Sequence, residues 1–190
     1  MNTLSPPIRS KLIPDQLFGM LIFVFTEVMF FTALVSAFVV IKGSRANWEI
    51  PAGVTLPVIL TAYNTGVLLL SGIMLWLVGR AIRAGKSLGE IRSFLSYGIM
   101  FGTFFVAVQG YEWTQLLGYG LTMGSSIFGA CFFLLIGSHA LHALAGIGLM
   151  LYLYVRLGRT LALGDCQAVQ VFWFFVVGVW PFLYALLYFP

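Results

Sequence analysis

Long apolar runs, each bounded by a short cluster of ionisable residues, divide almost the whole sequence. With 61% hydrophobic and only 8% charged residues, and a mean hydropathy of +1.00, the chain has too little polar surface for a soluble globule. The segments do not alternate as the strands of a membrane barrel do. Each run reaches the roughly 20 residues that a membrane-spanning helix needs. We predict an all-α, polytopic membrane protein, one domain over residues 1–190, with five transmembrane helices at about 16–41, 54–79, 93–116, 125–155 and 168–189.

The third and fourth predicted helices share one uncharged stretch from Trp113 to Val155, which is too long for a single span. Gly118, Gly120 and Gly124 predict the turn that divides it. The connections are short, so neighbouring helices should pack antiparallel in one bundle. Cys131 and Cys166 fall at different depths of this bundle, and we expect no disulfide between them.

The distribution of basic residues predicts the orientation in the membrane. The N-terminal arm and the loops near Arg83 and Arg159 carry eight Lys and Arg residues, whereas the opposite side carries only Lys42 and Arg45. Positively charged loops stay in the cytoplasm, so we expect a cytoplasmic N-terminus and an external C-terminus in a bacterial plasma membrane. The first residues do not form a cleavable signal peptide, because they precede a full-length span. The scattered positive charges exclude a nucleic-acid-binding surface.

Few polar side chains lie within the predicted spans, and each is a candidate site residue. Glu27 is the most informative, since a charge near the bilayer centre costs about 3 kcal/mol and usually marks a functional site. Its apolar neighbours one turn away, Phe23, Phe30 and Phe31, favour a carboxyl group that is protonated or hydrogen-bonded to a partner across the bundle. The remaining polar candidates are Asn64, Gln109, Glu112, His139 and His142.

These remaining candidates have a structural interpretation beside a functional one. We expect Asn64 and Gln109 to form hydrogen bonds between helices. Glu112 lies near the interface, where its carboxylate can reach headgroups or water, and we interpret it chiefly as a structural residue as well. His139 and His142 share a helix face and lie at a depth comparable to Glu27, so either could be its partner.

A histidine pair also raises the question of a metal or haem. Only two histidines are present, both on one helix, and the repeated carboxylates of a di-iron site or the paired cysteines of a mixed-valence copper site are missing. We therefore predict no metal or haem within this chain, and we interpret Trp173 and Trp180 as packing and lipid-contact residues.

Taken in order, five segments of the sequence resemble subunit III of the haem-copper respiratory oxidases, the cytochrome c oxidase subunit III family. The resemblance covers nearly the whole chain. The segments are 19–31 around Glu27, 64–72 from Asn64, 109–113 with Gln109 and Glu112, 124–146 with Gly137, His139 and His142, and 172–184 with Trp173 and Trp180.

The resemblance implies a role that the residue pattern alone does not give. Members of this family bind no haem or copper themselves. They flank catalytic subunit I, together with subunit II, hold structural phospholipids, and support proton uptake and turnover in aerobic electron transport. The haem lies in the partner subunits, and in an oxygen reductase these subunits also contain copper. The family's intramembrane glutamate corresponds to Glu27, its Gly-x-His-x-x-His pattern to Gly137, His139 and His142, and a later glutamate to Glu112.

Two departures from the family pattern keep alternatives open. Full-length members have seven helices, and this chain begins at the equivalent of the third. The last helix of the family usually reads Trp-His-Phe-Val-Asp, whereas Phe174 and Val177 replace the histidine and the aspartate here. An accessory subunit of a bacterial nitric oxide reductase is therefore the second interpretation. A small transporter or proton channel that uses Glu27 and the histidines as a relay is a third, although the sequence shows no internal repeat.

Overall fold

Five long helices account for most of the chain in a computed structural model, which describes residues 14–44, 57–158 and 163–189. They are α1 (Asp15–Gly43), α2 (Val58–Arg83), α3 (Leu88–Gly118), α4 (Ile127–Arg156) and α5 (Leu163–Tyr188). Within the described ranges there is no strand, and each helix is long and apolar enough to cross a membrane. The prediction of an all-α bundle with five transmembrane helices is confirmed.

The helices extend beyond the apolar runs at the ends that carry charged residues. α3 begins at Leu88 rather than near residue 93, because Ser87 caps it: the Ser87 hydroxyl accepts a hydrogen bond from the Glu90 backbone N–H, and the Glu90 carboxylate accepts one from the Ser87 N–H, both at 3.3 Å. α2 likewise continues to Arg83, and α5 already begins at Leu163. Hydropathy marks where a helix enters the apolar layer, whereas capping decides where it begins.

The turn between α3 and α4 lies where the glycines predict it. Gly120 has a φ of 85°, a left-handed conformation that glycine adopts readily, and the Leu121 N–H donates to the Leu116 carbonyl at 3.0 Å to close the end of α3. Ser126 then caps α4 by accepting a hydrogen bond of 2.9 Å from the Gly129 N–H.

α5 occupies the centre of the arrangement and packs against α1, α2 and α4, while α3 packs against α2 and α4. Within the described residues, α1 contacts α4 and α5 but not α2, so the expectation that every pair of sequential helices packs together is wrong for this pair. The physical reason lies in the side chains of α1, since Phe31 packs against Phe175 of α5 and Glu27 reaches His142 of α4.

The centre of the bundle is a slot for one indole ring. Trp173 of α5 is fully buried, and its ring lies between the backbones of Gly102 on α3 and Gly146 on α4. A Cβ atom added to Gly102 would lie 2.9 Å from Cζ2 of the ring, and one added to Gly146 would lie 2.5 Å from Cε3. The indole N–H of Trp173 donates to the Ser71 hydroxyl at 3.0 Å, and Ser71 donates in turn to the Gly98 carbonyl at 2.9 Å. Four helices therefore meet around this ring.

Candidate functional site

Glu27 of α1 and His142 of α4 form a pair within the membrane-spanning part of the bundle. The carboxylate Oε2 of Glu27 lies 2.9 Å from Nε2 of His142. The two side chains are largely enclosed, with exposed fractions of 18% and 14% respectively. Of the two histidines that the sequence offered as partners, His142 is therefore the one in contact with Glu27.

The hydrogen-bond geometry of His142 determines how many protons the pair holds. Nδ1 of His142 lies 2.7 Å from the Ser138 carbonyl oxygen, which can only accept, so Nδ1 carries a hydrogen. A neutral His142 then has a lone pair at Nε2. A carboxylate is also only an acceptor, so the two cannot form a hydrogen bond. A hydrogen bond between Nε2 and Glu27 consequently requires one further proton, either on the imidazole or on the carboxyl group. The pair is thus built to hold one proton between an acid and a base.

Aromatic rings surround this pair. The rings of Phe31 and Phe175 lie with their centroids 5.2 and 6.1 Å from that of His142, and Phe30 and Phe172 stack alongside at 6.4 and 6.3 Å. Sequence reasoning found Phe30 and Phe31 from their position one turn from Glu27. It missed Phe172 and Phe175, because their proximity depends on how α5 packs against α1 and α4.

A second polar cluster surrounds Glu112, at the opposite end of α3 from its capping box. The Thr61 hydroxyl lies 3.1 and 3.0 Å from the two carboxyl oxygens of Glu112, and the Gln109 side-chain N–H donates to Oε2 at 3.0 Å. The Tyr188 hydroxyl lies 3.4 Å from the same oxygen. Glu112 is only 1% exposed, and its carboxyl group is enclosed by hydrogen-bonding side chains of α2, α3 and α5, which fits the structural interpretation of this residue. Sequence reasoning did not identify Thr61 or Tyr188, which are ordinary residue types without a motif.

The remaining predicted polar residues join helices. Asn64 donates from Nδ2 to the Phe105 carbonyl at 3.1 Å, as expected for an amide between α2 and α3. Trp180 is fully buried, and its indole N–H donates to the Thr65 hydroxyl at 2.9 Å. The packing interpretation of Trp173 and Trp180 therefore fits their positions, but the expectation of lipid contact does not, because the exposed aromatic side chains of α5 are Phe174 and Phe182.

His139 has surroundings that differ from those of His142. It is 1% exposed, and its ring stacks on Trp180 with a centroid separation of 4.9 Å and an interplanar angle of 30°. Although His139 and His142 are three residues apart on one helix, they do not lie in one site. Within the part of the chain that the structure describes, no group of three or more His, Cys, Asp or Glu residues could hold a metal ion, and Cys131 and Cys166 are both free thiols.

These features define a multi-pass helical membrane protein with a paired acid and base enclosed between its helices. Comparison with known proteins then shows its family. Residues 12–190 match the family model described as cytochrome c oxidase subunit III. The chain belongs to the cytochrome c oxidase subunit III family.

Relatives with this name occur in distant organisms. A probable cytochrome c oxidase subunit 3 of Nocardia farcinica is 31% identical, over 90% of this chain and 86% of the relative. Cytochrome c oxidase subunit 3 of Branchiostoma lanceolatum is 33% identical, over 90% of this chain and 67% of the relative. The subunit 3 of Thermostichus vulcanus is 29% identical, over 92% of this chain and 88% of the relative. The resemblance that the sequence segments indicated is confirmed.

Proposed function

We propose that this chain is the non-catalytic subunit III of a haem-copper respiratory terminal oxidase and lies beside catalytic subunit I, together with subunit II, in aerobic electron transport. The observation that carries the proposal is the family match over residues 12–190. Because the similar proteins are named as oxidase subunits, a nitric oxide reductase accessory subunit is not favoured. A transporter is also a weaker explanation, since the five spans are continuous helices, with Pro181 confined to the last part of α5.

Within that complex, we assign Glu27 and His142 the role of an intramembrane acid and base that supports proton uptake. Their separation of 2.9 Å and the hydrogen on Nδ1 of His142 support this assignment, because the hydrogen bond between them holds one proton that can pass from one side chain to the other without movement of a heavy atom. Glu112, Asn64, Gln109, Trp173 and Trp180 have structural roles in the same proposal, since each bonds or packs between helices.

A phospholipid acyl chain is the occupant that we assign to an open apolar cleft between α1 and α5. The cleft has a volume of about 510 Å³, and it is lined by apolar and aromatic side chains such as Val28, Val35, Phe174, Val179 and Phe182. It opens on the outer surface of the bundle, where lipid hydrocarbon can enter, and its size and apolar lining suit a chain of methylene groups. Lipid binding would then also protect the adjacent pair, because Phe31 and Phe175 line both the cleft and the surroundings of His142.

Purification of the affinity-tagged chain in mild detergent tests the proposal. We expect it to co-purify with a catalytic subunit that contains haem and copper, identified by mass spectrometry and metal analysis. The separated chain should show no Soret band and no stoichiometric iron or copper. A haem spectrum from this subunit alone would refute the assignment, and a copper-free catalytic partner would favour the nitric oxide reductase interpretation.

A bacterial plasma membrane with a cytoplasmic N-terminus is also part of the proposal. The predicted positions Arg9, Lys11, Arg45, Arg159 and Pro190 lie outside the described residues. The described ends support the orientation, because Arg80, Arg92 and Arg156 lie at the ends of α2, α3 and α4 that face the side predicted to be cytoplasmic. There each guanidinium group stacks over an aromatic ring. Their centroid distances are 5.0 Å for Arg80 over Trp76, 5.0 Å for Arg92 over Tyr154 and 5.4 Å for Arg156 over Tyr152.

Reporter fusions provide the measurement of topology. A cytoplasmic reporter fused after Arg83 should be active, and an alkaline phosphatase fused after Phe189 should be active only if that end lies outside. An active cytoplasmic reporter after Phe189 would contradict the assigned orientation.

A further inference from the structure

The Glu27–His142 pair lies at the lateral surface of the bundle. On its inner side the buried rings of Phe172 and Phe175 enclose it. On its outer side Phe30, which stacks on His142, is 42% exposed, and both side chains of the pair remain partly exposed. Neither Glu27 nor His142 lines the cleft between α1 and α5, so this opening is a separate feature of the surface.

One carboxyl oxygen of Glu27 has no hydrogen-bond donor. Oε2 lies against Nε2 of His142, whereas Oε1 accepts no hydrogen bond from any residue that the structure describes. Oε1 is also not among the unpaired polar atoms that the bundle encloses completely, so it can be reached from outside the chain. A donor for this oxygen must therefore come from a neighbouring molecule.

The depth of Glu27 decides which neighbouring molecules can reach it. Glu27 lies 12 residues after Asp15 and 16 residues before Gly43, the two ends of α1. At 1.5 Å per residue these distances are about 18 and 24 Å, and half of the hydrocarbon layer is about 15 Å thick. Lipid tails carry no donor, and polar side chains at such a depth almost always face protein or a water-filled cavity.

The number of protons on the pair specifies the chemistry of the missing donor. The hydrogen bond between Glu27 and His142 holds one shared proton, so the pair has no net charge. A lysine or arginine brought to Oε1 would be a cation without a counter-charge, which is costly within a membrane. A hydroxyl or carboxamide group donates without adding charge, and such groups commonly form hydrogen bonds between membrane helices.

We propose that the face of α1 and α4 around Phe30 and the pair is a docking surface for a transmembrane helix of another subunit, which donates a hydrogen bond from a Ser, Thr, Asn or Gln side chain to Oε1 of Glu27. Exposed Leu141 and Ala145 of α4 continue this face on either side of His142. The docking surface rests on the proposed function, since the helix belongs to the same respiratory complex.

Photo-crosslinking at two phenylalanines of α1 tests the docking surface. In the detergent-purified complex, p-azidophenylalanine in place of Phe30 should crosslink to a transmembrane segment of another subunit, identified by mass spectrometry. Phe25 provides the matched control, because it is also exposed but lies two residues before Glu27, about 200° around the helix. The same replacement at Phe25 should crosslink to phospholipid.

A double-mutant cycle tests the hydrogen bond. Glu27→Ala removes the acceptor, and it should lower the retention of the subunit after detergent washing by about three- to tenfold, the effect of one hydrogen bond between membrane helices. Glu27→Gln keeps an oxygen for the donor and should be retained. Replacing the crosslinked donor of the other subunit with alanine should give the same loss, with no further loss in combination with Glu27→Ala. The thermal unfolding midpoint of the separated chain shows whether each variant is folded.

Two results would overturn the docking surface. One is a Phe30 crosslink to phospholipid alone or to a second copy of this chain, and the other is full retention of a folded Glu27→Ala variant. In either case, a chain that still co-purifies with a subunit containing haem and copper keeps its proposed function. A chain that co-purifies with no other polypeptide would refute both the docking surface and the proposed function.

Discussion

Replacing Gly146 with alanine should destabilise the folded bundle by about 1 to 3 kcal/mol, the usual cost of overpacking a well-filled interior. The added methyl group would meet Cε3 of Trp173 at 2.5 Å. The ring cannot move away easily, because Gly102 contacts it from the other side and Ser71 holds its N–H. The quantity to measure is the midpoint of thermal unfolding in detergent, and size-exclusion chromatography of the fluorescently tagged protein provides the readout.

Gly148, on the same helix, provides the matched control, because a methyl group added there meets nothing within 4 Å. Gly148→Ala should therefore be at least as stable as the unmodified protein, because alanine favours a helix interior over glycine. Trp173→Phe should recover part of the loss caused by Gly146→Ala, because a smaller ring leaves room for the methyl group and the two effects are then not additive. Equal stability of Gly146→Ala and Gly148→Ala would show that the indole slot does not exist as described.

This slot also illustrates what the sequence could predict. The small residues from Ala143 to Gly146 are of the kind that permits close approach between helices, and the aromatic residues of α5 are suited to packing. Neither pattern identifies Trp173 as the ring that enters the slot, because that depends on the relative rotation and depth of three helices. Hydropathy gives the number of spans reliably, since insertion of each span depends on its own composition. It carries no information on which helix faces which.

The two polar sites show the same distinction. Glu27 could be found from sequence because a carboxylate is exceptional within an apolar run, and its cost in the membrane marks it without any knowledge of the fold. The sequence could not show that His142, and not His139, is the partner of Glu27. The two histidines are three residues apart on one helix and differ only in the neighbours that packing gives them. Thr61 and Tyr188 were missed for a related reason, as their importance lies only in their contact with Glu112.

Glu27→Ala should lower the sustained turnover of the parent oxidase several-fold while leaving its haem spectrum intact. The substitution removes the acid of the pair and leaves Nε2 of His142 without a partner among the surrounding phenylalanines. Glu27→Gln should be milder, because the amide N–H can donate to the lone pair of a neutral His142 although it cannot share a proton. Steady-state oxygen consumption over many turnovers is the measurement, with subunit stoichiometry determined on the same sample.

A double-mutant cycle distinguishes loss of the pair from general damage to α1. If the two residues act as one unit, His142→Ala should reproduce the loss, and the double variant should be no worse than either single one. Thr26→Val is a suitable control, since Thr26 is exposed and its hydroxyl donates only within α1, to the Phe23 carbonyl. It should retain full activity. Unimpaired activity and durability in Glu27→Ala would contradict the assigned role in proton uptake. Additive losses in the double variant would instead mean that Glu27 and His142 contribute separately, and that their 2.9 Å contact has only a structural effect.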